Sequence, residues 1–167
     1  HRVVGRAPGT PSIALAPADP IGELAAREVV SGDHLFLDSG TTVLAMAQAL
    51  ARRYDEEHIE NVKVLTNSLI LTDILTPFCK VVLIGGEIRT ERRDSCGFIA
   101  EEMLKRLHVK KAFLGCDALH FERGLMTTDE RPARMNELII TQLAREALKT
   151  ARLAAVPGCL VRKFQNE

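Results

Sequence analysis

Short apolar runs alternate with helical patterns along this chain, and their order predicts the architecture. From residue 21 the chain reads as a short helix over 21–30, a turn at Ser31-Gly32-Asp33 and a strand over 35–37. A helix over 43–54 follows, because Val43, Met46, Ala47 and Leu50 repeat at the i, i+3, i+4, i+7 spacing of one helix face. A second strand covers 61–65, a short helical stretch 69–75 is stopped by Pro77, and a third strand covers 80–84. Beyond Gly97, the residues Ile99, Met103, Leu104 and Leu107 mark an amphipathic helix. A fourth strand covers 111–114, a long helix 132–149 has Thr128 or Asp129 available as its cap, and a last strand covers 151–156. These strands are too apolar to show the period of two that a half-exposed sheet leaves. Such strands, separated by helices, predict an α/β fold: a mostly parallel sheet flanked by helices on both faces.

Residues 1–20, HRVVGRAPGTPSIALAPADP, break the pattern, with four prolines, two glycines and no period. They are expected to be an extended arm or linker, and because the chain begins at His1 it is expected to be a piece of a longer polypeptide. The expected organisation is therefore a linker over 1–20 and one domain over 21–167. A length of 167 residues, 46% apolar and 26% charged, suits a single globular domain with a real core. No apolar run approaches the ~20 residues of a membrane span, and the first residues lack the order of a signal peptide, so a cytoplasmic location without a membrane partner is expected.

Charge narrows the partners. Lysine plus arginine number 22, as do aspartate plus glutamate, so no basic field attracts a polyanion and these residues alone are not expected to bind DNA. The cysteines (Cys79, Cys96, Cys116, Cys159) are scattered without a CxxC pair and are expected to be buried free thiols. The histidines show no metal-ligand spacing either, and no metal or cofactor is expected.

In parallel sheets ligands bind beyond the carboxyl ends of the strands. Those ends carry Asp38-Ser39-Gly40-Thr41-Thr42, Thr66-Asn67-Ser68, Gly85-Gly86 and Gly115-Cys116-Asp117, all small and polar. Side by side, they converge on one rim. The helix after Thr42 exposes unpaired N–H groups and a partial positive charge in its first turn, which favour an anion. Gly40 lets a ligand approach the backbone, and Ser39, Thr41 and Thr42 each carry a hydroxyl donor. Phosphate is the anion that uses so many donors at once. The competing possibility is that Ser39 or Thr41 merely caps the helix and Gly40 merely turns the chain; four similar loops on one rim favour a site.

Five segments in this order, GDHLFLDSGTT (32–42), VKVLTNSL (62–69), VVLIGGEIR (81–89), the glycine of SCGFIAEEML (95–104) and KKAFLGCDAL (110–119), with GLMTTDE (124–130) more loosely, resemble the effector-binding domain of the DeoR family of bacterial transcriptional regulators. The resemblance covers residues 21 to about 140. It implies a fold shared with ribose-5-phosphate isomerases, a phosphorylated sugar or related metabolite as effector, a homo-oligomer, and DNA contacted only through an upstream winged helix-turn-helix. HRVVGRAP looks like the tail of that upstream domain. Carried over by position, Asp38, Ser39, Gly40, Thr41 and Thr42 form the phosphate loop, Thr66 and Asn67 a second sugar wall, and Gly85, Gly86 and Gly97 positions of close backbone approach. Lys111 and Asp117 border the pocket. Lys163, of the pair Lys163-Phe164, matches a C-terminal element of the family. The chain departs from the family at Lys110, where an aspartate is usual, and in VPGCLV, which lacks the aspartate expected before Lys163.

Other residues have plainer explanations. Lys111 in a strand more often snorkels to solvent than binds a ligand. Arg89, Arg92 and Arg93 lie in a charged loop that is solvated by default and a basic lid over a phosphate otherwise. A ligand-sensing domain needs binding groups and no catalyst. An isomerase would need a carboxylate base near a lysine, which Asp38 or Asp117 with Lys111 would have to supply. A pure protein-interaction module would not need several hydroxyl and glycine rims. The sequence favours the sensing domain.

Overall fold

The computed structural model describes residues 19–120, 122 and 124–150. The chain runs through α1 (Pro20–Arg27), β1 (His34–Leu37), α2 (Thr41–Glu57), β2 (Lys63–Thr66), α3 (Leu69–Leu75) and β3 (Lys80–Leu83). It continues through β4 (Glu87–Arg89), β5 (Asp94–Cys96), α4 (Phe98–Arg106), β6 (Lys111–Phe113), β7 (Ala118–His120), β8 (Gly124–Met126) and α5 (Glu130–Thr150). The predicted strand over 151–156 lies outside the described residues, as does Lys163.

Four strands form one parallel sheet in the order β3-β2-β1-β6. Its strands alternate between two cores, which is why no period shows in the sequence. On β1, Leu35 and Leu37 pack with Val43, Met46, Leu50, Leu71 and Leu75 of α2 and α3, while Phe36 packs with Leu104 of α4 and Met135 and Ile139 of α5. Val64 and Leu65 on β2 divide the same way. The sheet therefore carries α1, α2 and α3 on one face and α4 and α5 on the other, the predicted α/β arrangement. Each such side chain, fully withdrawn from water, contributes roughly 1.5–3 kcal/mol.

Local chemistry fixes where most helices begin. Asp19 caps α1, its Oδ1 accepting from the N–H groups of Ile21 (2.8 Å) and Gly22 (3.0 Å), with Pro20 in the first turn. Gly22 lets α1 lie directly on α2: a Cβ there would stand 2.7 Å from the carbonyl carbon of Ala45. Ser68 caps α3. Asp129 accepts from Arg131 N–H (3.1 Å), so α5 starts at Glu130, two residues before the predicted start.

Two antiparallel ribbons, β4–β5 and β7–β8, were not predicted. The first folds back from the edge strand over the carboxyl ends of β2 and β1. Ser95 N–H donates to Asn67 O (2.8 Å) and Leu69 N–H to Arg93 O (2.9 Å), which fasten the ribbon to the loop after β2. Strand order sets the rest of the geometry: the chain steps from β1 to β2 to β3 in one direction, and β6 lies on the other side of β1. The loops leaving β1 and β6 therefore diverge, and a crevice opens between them.

Candidate functional site

That crevice holds a cavity of about 430 Å³. Residues 38–42 after β1 form one wall and residues 115–117 after β6 another. Leu44 of α2, Ser68, Ile70 and Leu71 at the start of α3, Glu91 and Arg92 in the turn of the β4–β5 ribbon, Thr127, and Pro132 and Asn136 of α5 also line it.

The amino end of α2 faces this space without a side-chain cap. Gly40 occupies the cap position in an extended conformation (φ 174°, ψ 157°), and its carbonyl accepts the first helical bond from Leu44 N–H at 2.8 Å. Ser39 turns its hydroxyl elsewhere, donating to Asp94 Oδ2. The N–H groups of Thr41, Thr42 and Val43 consequently have no partner among the described residues, and no acidic residue stands in the first turn. Thr41 and Thr42 are exposed at the cavity mouth. The capping alternative thus fails at both hydroxyls. The glycine is not required by strain either, since an extended backbone suits any residue and a Cβ at Gly40 would meet nothing within 4 Å.

Behind the loop lies a buried polar network. Asp38 is nearly fully buried; its Oδ1 accepts from Ser39 N–H (2.7 Å), and its Oδ2 from Gly115 N–H (3.2 Å) and Asn136 Nδ2 (3.4 Å). Burial pushes its pKa up to about 6, against the pull of those donors. Asp94, fully buried, accepts from Ser39 and from Arg89 Nε (2.7 Å) and Nη2. Arg89 also donates through Nη1 to Asp129 at the start of α5. The hydrogen bonds it donates to Asp94 hold the Arg89 guanidinium firmly protonated, against its burial. Arg89 is thus not in a solvated loop: it is 6% exposed and ties the ribbon to α5. Arg92 lines the cavity, and Arg93 is exposed, 3.6 Å from Asp73.

The other sequence-predicted residues divide. Asp117 lines the cavity, and its Oδ2 accepts from Thr128 N–H and Oγ1 (both 2.8 Å) and from Thr127 Oγ1 (3.3 Å), bonds that hold its carboxyl below the ordinary range. Thr66 and Asn67 are buried beneath the rim rather than forming a wall of the cavity. Thr66 Oγ1 accepts from Ser68 N–H (3.1 Å) and Asn67 Nδ2 donates to Ser95 O (3.2 Å), so they hold Ser68 and the ribbon in place. Gly85, Gly86 and Gly97 are outside the cavity lining. Only Gly86 permits a close approach, and it is of chain on chain: it has φ 156°, and a Cβ there would lie 2.4 Å from the Cys96 carbonyl oxygen, whereas a Cβ at Gly85 or Gly97 would meet nothing nearer than 3.6 Å. Gly97 has φ 88° at the start of α4.

Lys111 does not border the cavity. It opens β6, as the sequence places it, and its Nζ donates to Asp33 Oδ2 and Glu28 O (2.7 Å each) at the far end of the sheet. Among the described residues, the cation that lines the cavity is Arg92. Cys116 also departs from expectation, being exposed on the rim, while Cys79 is half-buried, its thiol pushed up to about 11 by burial, and Cys96 is buried. Sequence reasoning missed Ser68, Asp94 and Asn136; only the repeated loop chemistry after β2 hinted at the first, and nothing local marked the others.

Fold and site together describe an α/β domain with an uncapped helix end facing a cavity at the switch point of its sheet. The DeoR C-terminal sensor domain matches residues 19–150, and the chain belongs to that family. It is a sensor domain rather than an enzyme. It is 31% identical over 139 residues to the "Uncharacterized HTH-type transcriptional regulator YgbI" of Escherichia coli K12, covering 82% of this chain and 52% of that protein. It is 32% identical over 124 residues to the "HTH-type transcriptional repressor GlcR" of Bacillus subtilis, covering 73% of this chain and 45% of that one. The chain thus spans about half the length of these relatives. Ribose 5-phosphate isomerase A of Methanocaldococcus jannaschii shares the fold, with a TM-score of 0.51 at 16% identity over 73% of this chain and 46% of that one. No helix among the described residues is long and apolar enough to cross a membrane.

Proposed function

We propose that this chain is the effector-sensing part of a DeoR-type repressor and that its effector is a phosphorylated sugar or a related metabolite. The observation that supports this most strongly is the uncapped amino end of α2, opening with Thr41 and Thr42 into a cavity that Arg92 also lines. Free N–H groups, a helix dipole, two hydroxyls and a guanidinium suit a phosphate, and 430 Å³ leaves room for a sugar beside it. In the full-length regulator this sensor controls an upstream winged helix-turn-helix. A homo-oligomer presents two such readers to a two-fold symmetric site. Effector binding changes DNA affinity only as far as the effector prefers one arrangement of the linked domains over another. The isomerase alternative loses its lysine, because Lys111 is fixed at the opposite end of β6 from Asp38 and Asp117.

The test is a thermal-shift screen of phosphorylated sugars followed by calorimetry on each hit and its unphosphorylated parent, since a ligand bound only by the folded state raises the melting temperature. A phosphorylated hit whose parent binds far more weakly supports the proposal. Equal binding of both members overturns it.

A further inference from the structure

The cavity is electrically lopsided. Among the described residues its lining holds three carboxylates, Asp38, Glu91 and Asp117, against the guanidinium of Arg92. All three carboxylates lie outside the donor-rich first turn of α2. The hydrogen bonds around them sharpen the asymmetry. Ser39 has one hydroxyl proton, and it goes to the buried Asp94, so what Ser39 can offer a ligand is a lone pair. Every bond that Asp117 accepts falls on Oδ2, which leaves its Oδ1 without a partner among the described residues. Phosphate and carboxylate wall both being negative, the remainder of the effector must bring donors and no further negative charge.

We propose that the effector presents neutral hydroxyl groups to the wall formed by Asp38, Ser39 and Asp117, and that the wall excludes phosphorylated sugar acids. This rests on the phosphate being held at α2. Within that frame, Asp94 is a positioning residue: by taking the proton of Ser39 it turns that side chain from a donor into an acceptor. An acidic analogue that replaces one CH2OH by a carboxylate loses a donor and gains a like-charge contact at the same point. Glu91 and Asp117 are exposed and water screens their charge, so such a contact weakens binding by roughly severalfold to tenfold.

Matched pairs differing in that one group provide the test: glycerol 3-phosphate with 3-phosphoglycerate, and glucitol 6-phosphate with 6-phosphogluconate, titrated at millimolar concentration against the isotope-labelled chain, with inorganic phosphate as reference. Tighter binding of the hydroxyl member in each pair that binds is the expected result. A sugar acid that binds as well as its partner overturns the exclusion while leaving the phosphate site standing. If neither pair nor inorganic phosphate perturbs residues 40–43, the phosphate site itself fails, and this inference with it. Asp117→Asn keeps an acceptor for Thr128 but removes a charge. It should narrow the gap between members of a pair severalfold, whereas a purely structural role would weaken both alike and leave their ratio unchanged.

Discussion

At the scale of single residues, Gly40 and Thr41 separate binding from folding. Thr41 caps nothing and Gly40 is extended with open space at its Cβ position, so neither holds the fold together. Thr41→Val should leave the melting temperature unchanged and weaken a phosphorylated effector about tenfold to a hundredfold, the worth of one hydrogen bond to a charged group. Gly40→Ala should likewise fold normally and lose affinity, because the methyl stands where a ligand would meet the backbone. A fall in stability of either variant at unchanged affinity, measured on one preparation, would contradict this. Asp38 behaves differently. Its folded pKa of about 6 lies above its ordinary 3.8, so its ionisation disfavours the fold. That penalty is absent below pH 3.8, grows as pH rises toward 6, and is fully present above. The stability of Asp38→Asn relative to the parent should therefore rise by on the order of 2–3 kcal/mol between pH 4 and pH 7. Chemical denaturation at both pH values checks the sign, and a difference that is flat with pH would show that Asp38 titrates normally.

At the scale of elements, the β4–β5 ribbon is what the site stands on. Arg89 joins it to α5 through Asp129 and neutralises Asp94, which in turn orients Ser39. Arg89→Met removes the cation and leaves a buried carboxylate alone, a change that typically costs about 3–5 kcal/mol. The double variant with Asp94→Asn should recover much of that loss, which urea titration of both proteins would reveal; no recovery would mean that packing, not charge, is at stake. This ribbon was also the least legible part of the sequence. The parallel strands and α2 announced themselves by short apolar runs and helical spacing, but the two three-residue strands of the ribbon, with charged and polar residues, leave no such run or period to read. Ser39 meets Asp94 across 55 positions and Asp38 meets Asn136 across 98, and no local pattern reports such a contact. The phosphate loop was legible because strand, glycine, hydroxyls and helix are contiguous. Thr66 and Asn67 stand on the right rim yet turn inward, since burial depends on a ribbon the sequence did not show. For Lys111 the information was present: as the first residue of its strand it belongs to the far end of the sheet, and family likeness alone brought it to the site.

At the scale of the whole molecule, sheet order does the positioning. β1 is central, its neighbours leave in opposite directions, and the gap between the loops after β1 and β6 brings the α2 terminus, the carboxylates and α5 around one cavity. Joined to a DNA-binding domain, such a sensor should bind its operator with different affinity when saturated with effector, and gel-shift titration with and without effector would show it. Equal affinity in both conditions would remove the regulatory role. The central claim is narrower: an anion is held by the first turn of α2. It is tested most directly by titrating the isotope-labelled chain with inorganic phosphate and following each backbone amide by NMR. The largest saturable shifts should fall on Gly40, Thr41, Thr42 and Val43, and should vanish when chloride replaces phosphate at equal ionic strength. Shifts spread over surface lysines and arginines, with residues 40–43 unmoved, would contradict it.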